Sequence, residues 1–300
     1  MKKTLNYLFL IVILFLIYFY RNDIISYIMR NIIDKPTELA EKNEYYKDID
    51  YGFVQNTNSM YAKNKQDILN IIYTSLNRGL TESEFYCDYK ECTDDVNSIA
   101  EDSDTLASIN NFVHPYNSYS KIYFTITNYG KIRIRIDHIY SDSSILLVNN
   151  EIDRVMRDNI NNANDKIKAF HDYIVNNTIY DNTVSLVSQK YVQTNSSNAM
   201  GLLFEKKAIC SGYSDAMAIF LNKVGINNYK ISSDTHIWNL VYLDGEWKHI
   251  DATWDDPVTN DGSNVLLSDF YLISTDTLEQ KEKDLNKNDH LFNKDIYKEA

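Results

Sequence analysis

The stretch Ala208-Ile209-Cys210-Ser211-Gly212-Tyr213-Ser214-Asp215-Ala216-Met217-Ala218-Ile219-Phe220-Leu221-Asn222-Lys223-Val224-Gly225-Ile226 reads as one helix with a thiol at its head. Ile209, Tyr213, Ala216, Met217, Phe220, Leu221 and Val224 recur at helical spacing and give one buried stripe. Gly225 suits the left-handed residue that follows a helix. Cys210 then sits at or near the helix amino terminus, where unpaired N–H groups and the positive dipole end favour a thiolate. The same N–H groups suit an oxyanion forming on a substrate carbonyl. Taken alone, a buried structural thiol is the simpler reading of Cys210.

Downstream, His236-Ile237-Trp238-Asn239-Leu240-Val241-Tyr242-Leu243-Asp244-Gly245-Glu246-Trp247-Lys248-His249-Ile250-Asp251-Ala252-Thr253-Trp254 holds an Asp-Gly pair between two β-rich runs, a strong two-residue hairpin signal. Pairing Leu243 with Glu246 sets Asp251 opposite Trp238 and His236 opposite Thr253, all on one face. His236 and Asp251 are then diagonal neighbours with backbones about 7–8 Å apart, a gap that imidazole and carboxylate can bridge. A thiol that attacks, an imidazole that takes and returns the proton, and an acid that fixes its tautomer make a nucleophilic triad. Trp238 is placed to shield the His–Asp bond from water. His249 lies on the same face further along the ladder and is expected to be structural. Asp255, Asp256 and Asp261 read as turn and cap residues rather than a calcium site.

Cys210-Ser211-Gly212-Tyr213, His236-Ile237-Trp238-Asn239 and Asp251-Ala252-Thr253-Trp254-Asp255-Asp256, in that order, resemble the transglutaminase-like superfamily of papain-like thiol enzymes. Lys166 to Asp181, with Phe170, Tyr173 and Tyr180, is similar to the helix before the core in bacterial members. The resemblance covers roughly residues 150 to 275. It implies an α+β fold with the cysteine on a helix N-terminus packed on an antiparallel sheet. It also implies Cys210 as nucleophile, His236 as general base and Asp251 as orienting acid. Trp238, Tyr213 and Trp254 are expected to bind substrate or shield the site. The superfamily includes cross-linkers, peptidases, amidases and inactive members, so the resemblance leaves the reaction open, and no side-chain oxyanion donor is assigned.

The expected domains are a signal anchor over 1–22, a juxtamembrane helix and linker over 23–50, a small α/β domain over 51–148 and the transglutaminase-like domain over 150–300. In the third, Asp67 to Asn77 reads as an amphipathic helix, Glu84 to Tyr89 as a short strand, and Val96 to Phe112 as a helix. Ile122-Phe124-Ile126 and Ile132-Ile134-Ile136, in alternation around Asn128-Tyr129-Gly130, form a hairpin. Nothing there clusters like a catalytic site, so packing, spacing or recognition is its expected role. Glu151 to Tyr180 is helical and Asn182 to Asn198 a loop.

At the amino end, Lys2-Lys3 precede an apolar run from Leu5 to Tyr20. Sixteen helical residues span about 24 Å, a little short of a ~30 Å hydrocarbon core. No small-x-small cleavage signature follows, so we read an uncleaved signal anchor with a cytoplasmic amino terminus and an extracytoplasmic body; a cleaved signal peptide is the alternative. Outside the cytosol thiols tend to pair, so Cys87 and Cys92, five residues apart, form either a small-loop disulfide or two free thiols. Cys210 is left over in both cases.

Composition is ordinarily globular, 44% hydrophobic and 24% charged. The formal charge of −12 disfavours nucleic acid as a partner. No cofactor and no metal is expected. The expected function is an extracytoplasmic thiol enzyme attacking peptide or protein amides at the cell surface, by hydrolysis. The alternatives are a protein-glutamine transamidase and a non-catalytic surface binding module.

Overall fold

The computed structural model describes residues 2–29, 32, 39–160, 165–184, 194–257 and 265–300. Two consecutive helices, α1 (Lys2–Phe19) and α2 (Arg21–Ile28), precede the body. Their apolar side chains from Tyr7 to Tyr20 are exposed. No helix among the described residues is long and apolar enough to cross a membrane. The side chains of residues 1–5, which include the Lys2-Lys3 flank, lie outside the description.

The body begins earlier than the linker reading placed it. Lys47 is 9% exposed, and its Nζ donates to the Asn228 carbonyl at 2.7 Å. Burial, with the charge of Lys230 adding to it, pushes the Lys47 amine down to about 7. The Ile49 carbonyl accepts from the Tyr73 hydroxyl.

The first sheet has the order β1-β2-β4-β3: β1 (Tyr61–Ala62), β2 (Glu82–Cys87), β3 (Tyr119–Ile126) and β4 (Lys131–His138). Against it lie α3 (Lys65–Asn77), α4 (Cys92–Glu101) and α5 (Ser103–Asn111). The single helix expected over 96–112 is two. The Asp102 carboxylate accepts from the N–H groups of Asp104 and Thr105 and so starts a new helix where the first ends. Cys87, ending β2, and Cys92, starting α4, are joined by a disulfide, with Cα atoms 5.5 Å apart. The hairpin turns where Asn128-Tyr129-Gly130 stands, with positive φ at Tyr129 and Gly130.

Next come α6 (Asp142–Val155), α7 (Lys166–Asn177) and a parallel pair of short strands, β5 (Ile179–Tyr180) and β6 (Lys207–Ala208). Part of the loop expected over 182–198, residues 185–193, lies outside the described residues, as does Asp261. Helix α8 (Cys210–Lys223) leads into the second sheet, of order β10-β9-β8-β7: β7 (Asn228–Ser232), β8 (Ile237–Leu243), β9 (Glu246–Ile250) and β10 (Tyr271–Ile273). Helix α9 (Thr275–Leu285) follows.

The second sheet is packed on both faces. Tyr229, Ile231, Trp238 and Leu240 share one hydrophobic cluster with Phe85, Ile132, Ile134 and Tyr297. Val241 and Ile250, on the other side of the pleat, share a second with Phe170, Tyr213 and Phe220. Both clusters cross the boundary expected at 148–150. The first sheet and the Cys210 helix are therefore held by opposite faces of the same four strands.

Candidate active site

Cys210 is the first residue of α8, and Ile209, in extended conformation, precedes it. The thiol is free and buried. The helix begins there because the N–H groups of Gly212 and Tyr213 both reach back to the Ile209 carbonyl. Gly212 is fixed by space: a Cβ there would lie 2.5 Å from the Ser196 carbonyl oxygen. Asn239 ties the helix to the sheet, its Nδ2 donating to the Ser214 carbonyl at 2.9 Å.

The hairpin has the expected register, from Leu243 with Glu246 to Asn239 with Ile250. Asp244 and Gly245 both take positive φ at its turn, as a two-residue loop of this kind requires. His236 stands just before β8 and Asp251 just after β9, where the ladder has ended and side chains have room to converge. His236 Nε2 lies 2.5 Å from Asp251 Oδ2. Trp238 stacks on the His236 ring at 5.7 Å between centroids and is itself buried.

Burial disfavours a charged His236. The charge and hydrogen bond of Asp251, and then the hydrogen bond and charge of Cys210, outweigh it and push the imidazole up to about 10. With Nε2 held by Asp251, Nδ1 is the ring nitrogen available to the sulfur. Burial would raise the Asp251 carboxyl, but His236 and then His290 hold it well below the usual carboxylate range.

His290 is a site residue that the hairpin pattern did not reveal. Its Nε2 lies 2.8 Å from Asp251 Oδ2, and its Nδ1 lies 2.6 Å from Glu282 Oε1. Asp251 Oδ1 accepts from the N–H groups of Thr253 and Trp254. His249 has a structural place: its Nδ1 accepts from Trp238 Nε1, its Nε2 meets Thr275 Oγ1, and burial and the nearby His290 push it down to about 3.

A cleft of about 950 Å3 opens over Cys210 and His236. One wall comes from α5 and β3, including Asn110, Tyr119 and Tyr123; Trp254 and Asp256 are on the other side. The α/β unit, which held no catalytic cluster in the sequence, thus supplies one wall of the cleft. Of the three aromatics expected to bind or shield, Trp254 lines the cleft, while Trp238 and Tyr213 are buried behind it. The Tyr213 hydroxyl donates to Asp256 Oδ2, and burial pushes that carboxyl up to about 6.

Asp255 and Asp256 stand in the turn after β9, as expected, but their carboxylates also reach beyond it. Asp255 is fully buried, meets His171 Nε2 on α7 at 3.0 Å, and accepts from the Phe270 N–H. Asp215 was also missed: it holds Lys230 Nζ at 3.0 Å and accepts from the Tyr140 hydroxyl, at the floor of the cleft. Among the described residues, the group with donor atoms close enough for a metal ion is His236, Asp251 and His290, within 4.8 Å of one another. Those atoms are already joined by hydrogen bonds, and a cation there would displace the protons that orient His236.

Residues 150–252 match the family model of the transglutaminase-like superfamily. The segment belongs to that superfamily. The match takes in Cys210, His236 and Asp251 and ends before Glu282 and His290. No curated protein matches the chain. Among solved structures, the chain is similar to a TGase crystal structure at 18% identity and a TM-score of 0.32, over 57% of this chain and 51% of that one. It is also similar to a protein described as a "Putative Cysteine Protease" from Cytophaga hutchinsonii, at 14% identity and a TM-score of 0.29, over 49% of this chain and 65% of that one. The chain thus spans less than two thirds of the length of each. Likenesses of this size bear on neither mechanism nor substrate.

Proposed function

We propose that this transglutaminase-like protein is a thiol enzyme that attacks peptide or protein amide carbonyls with Cys210. The observation that carries the reading is His236, held by Asp251 on one nitrogen and beside the helix-start thiol with the other, at the floor of a cleft. In the reaction, Cys210 Sγ adds to the amide carbonyl and the resulting oxyanion faces the first turn of α8. The C–N bond breaks as His236 gives its proton to the leaving amine. A second nucleophile then loses a proton to His236 and displaces the thiolate from the thioester. Asp251 keeps the imidazole in one tautomer and balances its charge throughout.

Hydrolysis is the favoured outcome, because water at ~55 M outcompetes an amine unless the acyl-enzyme is shielded. The broad cleft supports that choice. Transamidation of a glutamine side chain is the competing outcome of the same acyl-enzyme, and a binding module is the reading without one. The amino-terminal apolar helix is proposed to hold the body at the outer face of the cytoplasmic membrane, where its substrates would be surface peptides or proteins.

The test is product analysis with glutamine-containing and other peptides, with and without an added primary amine, using Cys210→Ala as control. Carboxylate products with or without the amine support a hydrolase, and amine adducts a transamidase. No product on any peptide, together with no labelling by a thiol-reactive probe, leaves the binding module.

A further inference from the structure

We propose that His290 and Glu282 are positioning residues that act on the thiol site through Asp251, so that the orienting unit is two imidazole–carboxylate pairs in series rather than one. The inference rests on the reading of Cys210, His236 and Asp251 as the reacting group. The chain of contacts runs Glu282 Oε1 to His290 Nδ1 at 2.6 Å, His290 Nε2 to Asp251 Oδ2 at 2.8 Å, and Asp251 Oδ2 to His236 Nε2 at 2.5 Å. His290 is 2% exposed and Glu282 3%.

Asp251 accepts four hydrogen bonds. Two backbone N–H groups fix Oδ1, and two imidazoles meet at Oδ2. The His236 and His290 rings are nearly perpendicular, 83° apart, so both N–H vectors reach one oxygen without a clash. For Asp251 to accept from His290, the proton must sit on Nε2. Nδ1 then meets Glu282 either as a second N–H donor to a carboxylate or as acceptor from a carboxyl O–H, and in both cases Glu282 anchors the ring from its far side. Without His290, Oδ2 would have one partner instead of two and the carboxylate plane would be free to turn away from His236.

The titratable groups facing His290 are Asp251 and Glu282 by hydrogen bond, His236 by ring contact, and His249 through space. Trp238, Trp254 and Phe270 close the remaining sides. Glu282 Oε2 is buried and, among the described residues, has no hydrogen-bond partner. A buried acid with an unsatisfied oxygen is costly, and apolar residues of similar volume generally serve stability as well or better. A role in stability alone is therefore a poor account of this pair, whereas orientation of Asp251 explains both residues.

The test is the rate of Cys210 alkylation by iodoacetamide from pH 5 to 9 on the full chain, which needs no knowledge of the substrate. His290→Ala should slow labelling at pH 6 by about tenfold or more, the scale expected for loss of an outer partner, with the reactivity profile moved toward alkaline pH. His290→Gln, whose amide nitrogen can still donate to Asp251, should restore the rate to within about threefold of wild type, as a retained hydrogen bond implies. Glu282→Leu, which removes the partner that anchors the far side of the His290 ring, should also slow labelling, and it carries the comparison if His290→Ala does not fold.

A folded His290→Ala or Glu282→Leu variant with the wild-type rate and profile, while His236→Ala loses both, overturns the proposal and leaves the thiol-enzyme reading standing. Failure of His290→Gln to exceed His290→Ala also overturns it, in favour of plain packing. If wild-type labelling at pH 6 is already indifferent to His236→Ala, the thiol-enzyme reading itself falls, and this proposal with it.

Discussion

Replacing Asp251 by Asn tests the electrostatic account of the site most directly. The amide oxygen can still accept from the Thr253 and Trp254 N–H groups, so the turn after β9 should persist. The amide nitrogen would then face two imidazole nitrogens that now donate to a carboxylate, and His236 would have to reverse its tautomer. Burial, no longer offset by a negative charge, should bring His236 from about 10 back to its ordinary 6.5 or lower. At 1.36 kcal/mol per pH unit, that removes about 5 kcal/mol of preference for the imidazolium. The side chain is only 8% exposed, so solvent screens little of it. Alkylation of Cys210 at pH 6 should therefore fall by on the order of 10²–10³, since the cation that holds the thiolate is largely lost, and should recover toward pH 9. Turnover on a working substrate should fall by up to ~10⁴, the loss known for an orienting acid in a serine triad. Mass spectrometry of the Cys210 peptide after timed iodoacetamide exposure gives the rates. A folded variant with the wild-type ratio of pH 6 to pH 9 rates would refute the assignment of Asp251.

Three further outcomes follow from the same geometry. The folded protein excludes a proton from His249 down to about pH 3, whereas the unfolded chain binds one near 6.5, so stability should fall as pH drops through that window. His249→Asn keeps an acceptor for Trp238 and should flatten that part of a thermal-midpoint curve; an unchanged slope counts against it. Gly212→Ala should lower stability by at least about 1–3 kcal/mol, as overpacking does, because the new methyl meets the Ser196 carbonyl at 2.5 Å. Gly225→Ala, at a left-handed φ of +76° with open space around it, should cost only about 1 kcal/mol; equal losses in denaturant titrations would overturn the steric argument. For the proposed topology, protease added outside intact cells should digest the body, and protection until lysis would reverse it.

Short-range chemistry was the legible part of this molecule. Asp244-Gly245 set a hairpin register, and the register alone brought His236 to Asp251. The stripe from Ile209 to Val224 and the stop at Gly225 located the helix that begins on Cys210. What pattern does not encode is which face meets which. Alternation in β8 announces two faces, but not that Trp238 and Leu240 look toward the first sheet while Val241 looks toward α8. Lys47 reads as a linker residue because nothing nearby in the sequence shows the carbonyl of Asn228 waiting for it. His290 stands 39 residues from Asp251 with no periodic relation to it. Its only signal was a lone histidine in a polar stretch, which carries no information until the fold is closed.

The closing contacts bear on how the chain reaches this state. The Gly52 N–H donates to Glu299 across a separation of 247 residues, and the rings of Tyr51, Phe112, Tyr229 and Tyr297 meet in one cluster. Long-range pairings of this kind slow folding, because loop-closure entropy is lost before the contacts repay it. The second partner of Asp251 lies in the same late segment. During synthesis from the amino end, Cys210, His236 and Asp251 all emerge before residues 282–290. A nascent or truncated chain lacking that segment would hold a thiol and its base without the brace that aligns them. Competence for chemistry would then appear only once the two ends of the body have met.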